Sequence, residues 1–323
     1  MQNEFTGSPE ACSEFLHEGH PQNFIGSLCE EFQRNNQINP AYYEKWDVKR
    51  GLRNADGTGV MAGVTQIGNV SGYYMQDGEK VPAPGKLIYR GIDIQDLING
   101  FMSENRFGFE ETAYLLLFGA LPTSAQLEQF KAILNQYQAL PSLFTEDMII
   151  KAPSRDVMNK LARSVLALYS YDSIPDDNSL PAELQQALQL IARCPTIVAH
   201  AYAVKRHYFD NDSLYLHRPQ PHLSVAENFL YSLRRDNRYT EDEARLLDLC
   251  LVLHMEHGGG NNSAFACRVL SSSGTDIYSA IAAAVGSLKG PRHGGANKKV
   301  MEMFGYIEEN VTTGRMTGKS AII

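Results

Sequence analysis

"EETAYLLLFGALPTSAQLEQFKAIL", residues 110–134, decides the fold class. Apolar residues cluster on one helical face up to Phe118, and Gly119-Ala-Leu-Pro122 then breaks the pattern. A second helix starts at once, capped at Thr123 or Ser124. The same helical texture continues through the rest of the chain. "SRDVMNKLARSVLAL" (154–168), "PAELQQALQLIARC" (181–194) and "PTIVAHAYAVKRHYF" (195–209) carry apolar residues at three- and four-residue spacing. Pro181 and Pro195 read as first-turn prolines, where a missing N–H costs nothing, so two helices are expected to meet at residue 195. "TEDEARLLDLCLVLHMEH" (240–257) opens with a capping box from Thr240 to Glu243. "SGTDIYSAIAAAVGSLKG" (273–290) is a helix of small residues suited to close packing.

Only one region alternates like strands: "VTQIGNVSGYYMQDGEKVPAPGKLIYRGIDI" (64–94), interrupted at Asp77-Gly78, a hairpin turn signal. The expected fold class is therefore mainly α with one small N-terminal β-hairpin. The first 45 residues are polar and irregular, with "FIGSLCEEFQRNN" (24–36) as a short helical possibility.

Bulk properties exclude several function classes. A net charge of −8 argues against a general nucleic-acid binder, since neutralising phosphates needs clustered Lys and Arg. Arg234, Arg235 and Arg238 come nearest to a cluster, but Asp236 interrupts them and the group reads as a solvated face. The five cysteines are scattered with no CxxC pair, which fits reduced thiols in a cytoplasmic protein and gives no zinc framework. The expected apolar runs are too short to span a membrane.

Three motif-like stretches are weak. "GTGVMAG" (57–63) has one residue too many for a dinucleotide fingerprint and precedes the strands instead of joining a strand to a helix. "GRMTGKS" (314–320) has three residues between its glycines, where a phosphate-binding loop needs four, and it follows a helical pattern. His254 and His257 in "HMEH" sit at i, i+3 without a third metal ligand nearby, so they read as hydrogen-bonded or packed histidines.

More is carried by "LHMEHGGGNNSAFACRVL" (253–270) and "GSLKGPRHGGANKKVMEMF" (286–304). Each ends a helix, passes a histidine into glycines, and restarts a helix. Gly258–Gly260 and Gly294–Gly295 suggest unusual backbone angles or close approach to a ligand. His293 precedes a helix expected from about residue 296, whose positive end disfavours a cation. A neutral imidazole there can donate to a carbonyl oxygen that becomes an enolate. On the residues alone, catalysis and structural turns remain equal alternatives.

These stretches resemble the citrate synthase family. "GPRHGGAN" (290–297) looks like its active-site signature and "HMEHGGGNNSAF" (254–265) like its substrate-histidine segment. "GKLIYRGIDIQDL", "FEETAYLLLFGALPTSAQL", "RDVMNKLARSVLALY", "IARCPTIVAHAYAV" and "LSVAENFLYSL" follow in family order, so the resemblance covers about residues 50–310. It implies a citrate synthase-like large helical domain over 46–293, after an irregular extension over 1–45. The beginning of a small helical domain would occupy 294–323. It also implies an acyltransferase of the tricarboxylic acid cycle that condenses acetyl-CoA with oxaloacetate through an enol and citryl-CoA. That enzyme would act as a homodimer, with acetyl-CoA as substrate and no cofactor or metal. His293 would stabilise the enol, His257 would bind oxaloacetate, and Asn261 and Ser263 would line or support the site. The close alternatives are 2-methylcitrate synthase, which uses propionyl-CoA, and a non-catalytic dimerising fragment. The resemblance ends near Val311 and leaves out the family's base aspartate, second catalytic histidine and substrate arginines. The expectation is a small domain that stops short and half an active site.

Overall fold

The structure, a computed structural model, describes residues 65–77, 79–291 and 293–310, with residues 39, 41–45, 54 and 60. The readings of "FIGSLCEEFQRNN", of "GTGVMAG" apart from Val60, and of "GRMTGKS" lie outside the described residues. By internal contacts the chain divides into two units, Met1–Ala62 and Gly63–Ile323. In the first, a short helix α1 spans Ala41–Lys45.

The second unit begins with the expected hairpin. Strand β1 (Gly68–Gln76) runs antiparallel to β2 (Glu79–Tyr89), with Gln76 opposite Glu79. Asp77 takes φ 51°, as an Asp-Gly hairpin turn requires. A two-residue strand β3 (Ile92–Asp93) extends the sheet, so its order is β1-β2-β3. Helix α2 (Ile94–Ser103) follows directly, capped by Asp93, whose Oδ1 accepts the Gln95 N–H at 3.0 Å. This helix begins where the strand-like reading ended, and that reading missed it. Its signal is Ile94, Leu97, Ile98 and Phe101 at helical spacing behind an Asp cap.

Helix α3 (Phe109–Phe118) ends on Gly119 at φ 84°, and α4 (Ser124–Tyr137) starts from Thr123 with a complete capping box to Gln126. A π-helical turn covers Thr145–Ile150, followed by α5 (Val157–Leu168) and a 3-10 turn at Tyr169–Tyr171. Then comes α6 (Leu180–Asp210), where one expectation fails. Pro195 does not start a helix but lies inside one continuous 31-residue helix. An internal proline removes one backbone hydrogen bond and crowds the carbonyl four residues back, at about 3 kcal/mol. Packing overrides that penalty, because Leu190 and Ala192 before it and Ile197, Ala201 and Val204 after it are all buried. The Thr196 hydroxyl adds a tie, donating to the Gln138 carbonyl at 3.1 Å. By length and composition alone α6 could cross a membrane, yet half of its apolar window is buried inside the protein, as in a core helix.

The chain continues through α7 (Val225–Leu233), α8 (Glu241–Leu253), α9 (Asn262–Ser271), α10 (Ile277–Lys289) and α11 (Ala296–Asn310). The protein is thus mainly helical, with a small N-terminal antiparallel sheet. Its largest apolar cluster joins Phe144, Val165, Leu168, Ile197, Val204 and Tyr278, which links the π-helical turn to α5, α6 and α10. A second cluster, Tyr89, Leu97, Phe101, Leu115 and Val252, seats the sheet against α2, α3 and α8. Arg234 of the basic group pairs with Glu243, at 2.6 Å from its Oε1.

Candidate active site

Two turns carry the candidate site residues, and each is built by the end of a helix. Helix α8 stops at Leu253, where His254 caps it and its Nδ1 lies 2.7 Å from the Cys250 carbonyl oxygen. The chain then turns at Gly258, whose φ of 85° favours glycine. The Gly258 carbonyl accepts the Asn261 N–H at 3.2 Å, and Asn261 becomes the cap of α9. Its Oδ1 accepts the N–H groups of Ser263 at 2.8 Å and Ala264 at 3.3 Å, which fixes Ser263 in the first turn of α9.

The other turn leaves α10 at Gly290. His293 N–H donates to the Gly290 carbonyl at 2.9 Å and Gly294 N–H to the Leu288 carbonyl at 2.9 Å. A Cβ on Gly294 would lie 2.5 Å from that Leu288 oxygen, and one on Gly295 would lie 2.7 Å from Pro291 Cα. These two glycines serve close approach of backbone to backbone. Left-handed φ is found at Gly258 but not at Gly294 or Gly295.

The turns meet through side chains. Ser263 Oγ and His293 Nε2 are 2.9 Å apart, with both residues half-buried. A parallel tie runs beside them, Asn262 Nδ2 donating to Ser287 Oγ at 2.8 Å. Asn261, Ser263 and His293 are therefore brought together as one unit. His257 lies on the same turn as Asn261, but it is exposed and its ring makes no hydrogen bond among the described residues. One helical turn beyond Ser263, burial pushes the Cys267 thiol up, which keeps it protonated and unreactive at neutral pH.

Two residues that sequence reading did not single out shape the first turn. Tyr89 is wholly buried at the end of β2, and its hydroxyl reaches the end of α8. Glu256 folds its carboxylate onto the Gly258 N–H at 2.5 Å. The tyrosine carried only the signal of a core aromatic, because its partners lie more than 160 residues away in sequence.

This arrangement of helix ends, glycine turns and paired Ser–His lies in a chain that matches a known family model. Residues 54–319 match the model described as "Citrate synthase, C-terminal domain". The chain belongs to the citrate synthase family. The match runs past the point near Val311 where the motif resemblance was expected to end.

Among relatives, the citrate synthase of Synechocystis sp. is 34% identical over 254 residues, covering 76% of this chain and 56% of that protein. The 2-methylcitrate synthase of Shewanella oneidensis is 30% identical over 242 residues, covering 73% and 60%. Among solved structures, citrate synthase from Pyrobaculum aerophilum aligns with a TM-score of 0.63 at 31% identity, covering 80% of this chain and 61% of that one. The Thermoplasma acidophilum citrate synthase, a ternary complex with carboxymethyl coenzyme A and oxaloacetate, shares the fold with a TM-score of 0.62 at 24% identity, covering 78% and 63%. The chain spans about three fifths of the length of these citrate synthase family proteins. The family is one of acyltransferases, and family membership does not separate citrate from 2-methylcitrate synthesis.

Proposed function

We propose that this chain works as a citrate synthase, binding oxaloacetate at the turn that carries His257 and stabilising the enol of acetyl-CoA at His293. The observation that supports this reading best is the Ser263–His293 hydrogen bond of 2.9 Å. When the Ser263 hydroxyl donates to Nε2, the ring proton of a neutral imidazole sits on Nδ1. Nδ1–H is then the donor for the thioester oxygen, where negative charge develops as the methyl proton leaves. Serine thus fixes both the tautomer and the ring orientation. The base that removes the proton is not among these residues. The chemistry assigned to them is oxaloacetate binding and enol stabilisation.

Asn261 supports the same chemistry indirectly, because capping α9 holds Ser263 in place. His257, exposed and without a hydrogen bond among the described residues, has its ring nitrogens available for a dicarboxylate. A homodimer fits the family reading, and sedimentation at micromolar concentration tests it.

Calorimetric titration with oxaloacetate and a CoA-release assay test the function. Oxaloacetate should bind the wild-type chain, and His257→Ala should weaken that binding by about tenfold or more, the loss of one charge-assisted hydrogen bond. Ser263→Ala should leave oxaloacetate affinity intact and reduce any turnover by about tenfold to a hundredfold, since the imidazole loses its orienting partner. Absence of oxaloacetate binding by the wild-type protein refutes the reading. Faster CoA release from propionyl-CoA than from acetyl-CoA would reassign it to 2-methylcitrate synthesis.

A further inference from the structure

Three observations converge on the turn between α8 and α9. The first is the Tyr89 hydroxyl. It lies 2.9 Å from the Val252 carbonyl oxygen, to which it donates, and it accepts the Glu256 N–H at 3.3 Å. The Leu253 and Glu256 carbonyls stand farther off, at 3.3 and 3.4 Å, so the single hydroxyl proton is best placed on Val252. One side chain of the sheet thereby joins the last turn of α8 to the residue before His257.

The second is Glu256. Its carboxylate accepts the Gly258 N–H and so closes the chain around His257, at the one glycine of this turn with a left-handed φ. The third is Gly68 in β1. A Cβ there would lie 2.4 Å from Glu256 Cγ, so the missing side chain makes the space that Glu256 fills. The hairpin therefore supplies an anchor through Tyr89 and a socket through Gly68, both for the segment that carries His257.

We propose that Tyr89 and Glu256 are positioning residues: they set the path of residues 254–261, and with it the placement of His257 and of the Asn261 cap, without touching substrate. Oxaloacetate enters this inference only through the function proposed above. The geometry stands on the hydrogen bonds themselves. Without the Tyr89 hydroxyl, the buried Val252 carbonyl and the partly buried Glu256 N–H each lose a partner. Without the Glu256 acceptor, Gly258 N–H has no other hydrogen-bond partner among the described residues.

Four variants separate this role from a general contribution to folding. Tyr89→Phe keeps the buried ring and removes only the hydroxyl. Glu256→Ala removes the acceptor for Gly258, whereas Glu256→Gln retains one. His257→Ala leaves the turn's own hydrogen bonds intact. Hydrogen–deuterium exchange across residues 254–264 should accelerate by about fivefold or more in Tyr89→Phe and Glu256→Ala, as expected for an unpaired buried group. Glu256→Gln and His257→Ala should exchange like wild type, and peptides from α6 should keep wild-type rates in every variant. The dissociation constant for oxaloacetate should rise by a similar factor in Tyr89→Phe and Glu256→Ala, with Glu256→Gln rescuing it. Unchanged exchange at 254–264 in Tyr89→Phe overturns the inference. So does acceleration in α6 in step with the turn, or a Glu256→Gln as loose as Glu256→Ala. If exchange responds as expected while the wild-type chain binds no oxaloacetate, the positioning role is upheld and the functional reading alone falls.

Discussion

Gly294 shows how little freedom the His293 turn has. Its N–H donates to the Leu288 carbonyl, and an added methyl group would press on that same oxygen from 2.5 Å. The obstacle is backbone, so no side-chain rotation relieves it. Gly294→Ala should lower stability by about 1–3 kcal/mol, in the range of overpacked sites, and disturb the Ser263–His293 pair. Gly260 makes the natural control, because a Cβ there meets nothing within 4 Å. Gly260→Ala should stay within about 0.5 kcal/mol of wild type in urea unfolding. Equal unfolding midpoints for the two variants would refute this account. At this scale the glycines beside a histidine between helices already pointed to His293, and the family resemblance added Asn261 and Ser263. Of the reasons the pattern offered for Gly294 and Gly295, a left-handed angle is not what the structure shows; backbone packed against backbone is. Close backbone approach and left-handed angles leave the same residue in the sequence, and only coordinates separate them.

Helices that announce themselves by caps and periodicity were legible as elements: α3 and α4 around the Gly119–Pro122 break, and α8 behind Thr240. The errors lie where packing overrules local preference. At α6, burial on both sides of Pro195 carries the helix through a residue that would stop it in isolation. The π-helical turn at Thr145–Ile150 has a similar tertiary dependence. Buried Lys160 on α5 donates from Nζ to the Met148 carbonyl at 2.8 Å and also to the Ala152 carbonyl, holding the end of that turn. Burial, with Arg163 adding to it, lowers the Lys160 ammonium from 10.5 to about 8. Below about pH 8 both folded and unfolded chains are protonated there, and the burial penalty acts in full. Between about 8 and 10.5 the unfolded chain keeps a proton that the folded one has released, so this group's contribution to stability rises with pH. Lys160→Met should flatten that rise, read from urea unfolding at several pH values across the window. A parallel pH dependence in wild type and variant would show that the lysine does not titrate as described.

Across the whole molecule, two buried carboxylates tie α3 to α7 and α8. Glu110 Oε1 accepts the Val225 N–H at 2.8 Å, while its Oε2 has no hydrogen bond among the described residues. Asp248 on α8 accepts the N–H groups of Gly108 at 2.7 Å and Phe109 at 3.1 Å. Burial pushes both carboxyls above the usual range, and the Asp248 charge adds to the rise at Glu110. Because the folded chain holds these protons more tightly, stability from this source falls as pH rises from the ordinary carboxylate range through the raised values. Glu110→Gln keeps an acceptor for Val225 and removes the titrating carboxyl. The variant should melt at a temperature about 2 °C or more above wild type near neutral pH, with the gap closing toward pH 4. Melting curves that differ by the same amount at every pH would disprove the assignment.

By itself, the sequence determined the mainly helical class and the hairpin at Asp77, and its motifs resembled the family and pointed to two turns as the candidate site. These follow from local periodicity, caps and short motifs, all of which act within a few residues. Only the tertiary structure decided that α6 runs through Pro195, that Ser263 meets His293, and that Tyr89 reaches the end of α8. Each of those depends on groups distant in sequence sharing a buried space, where an unpaired polar atom or an unfilled volume is costly enough to overrule local preference.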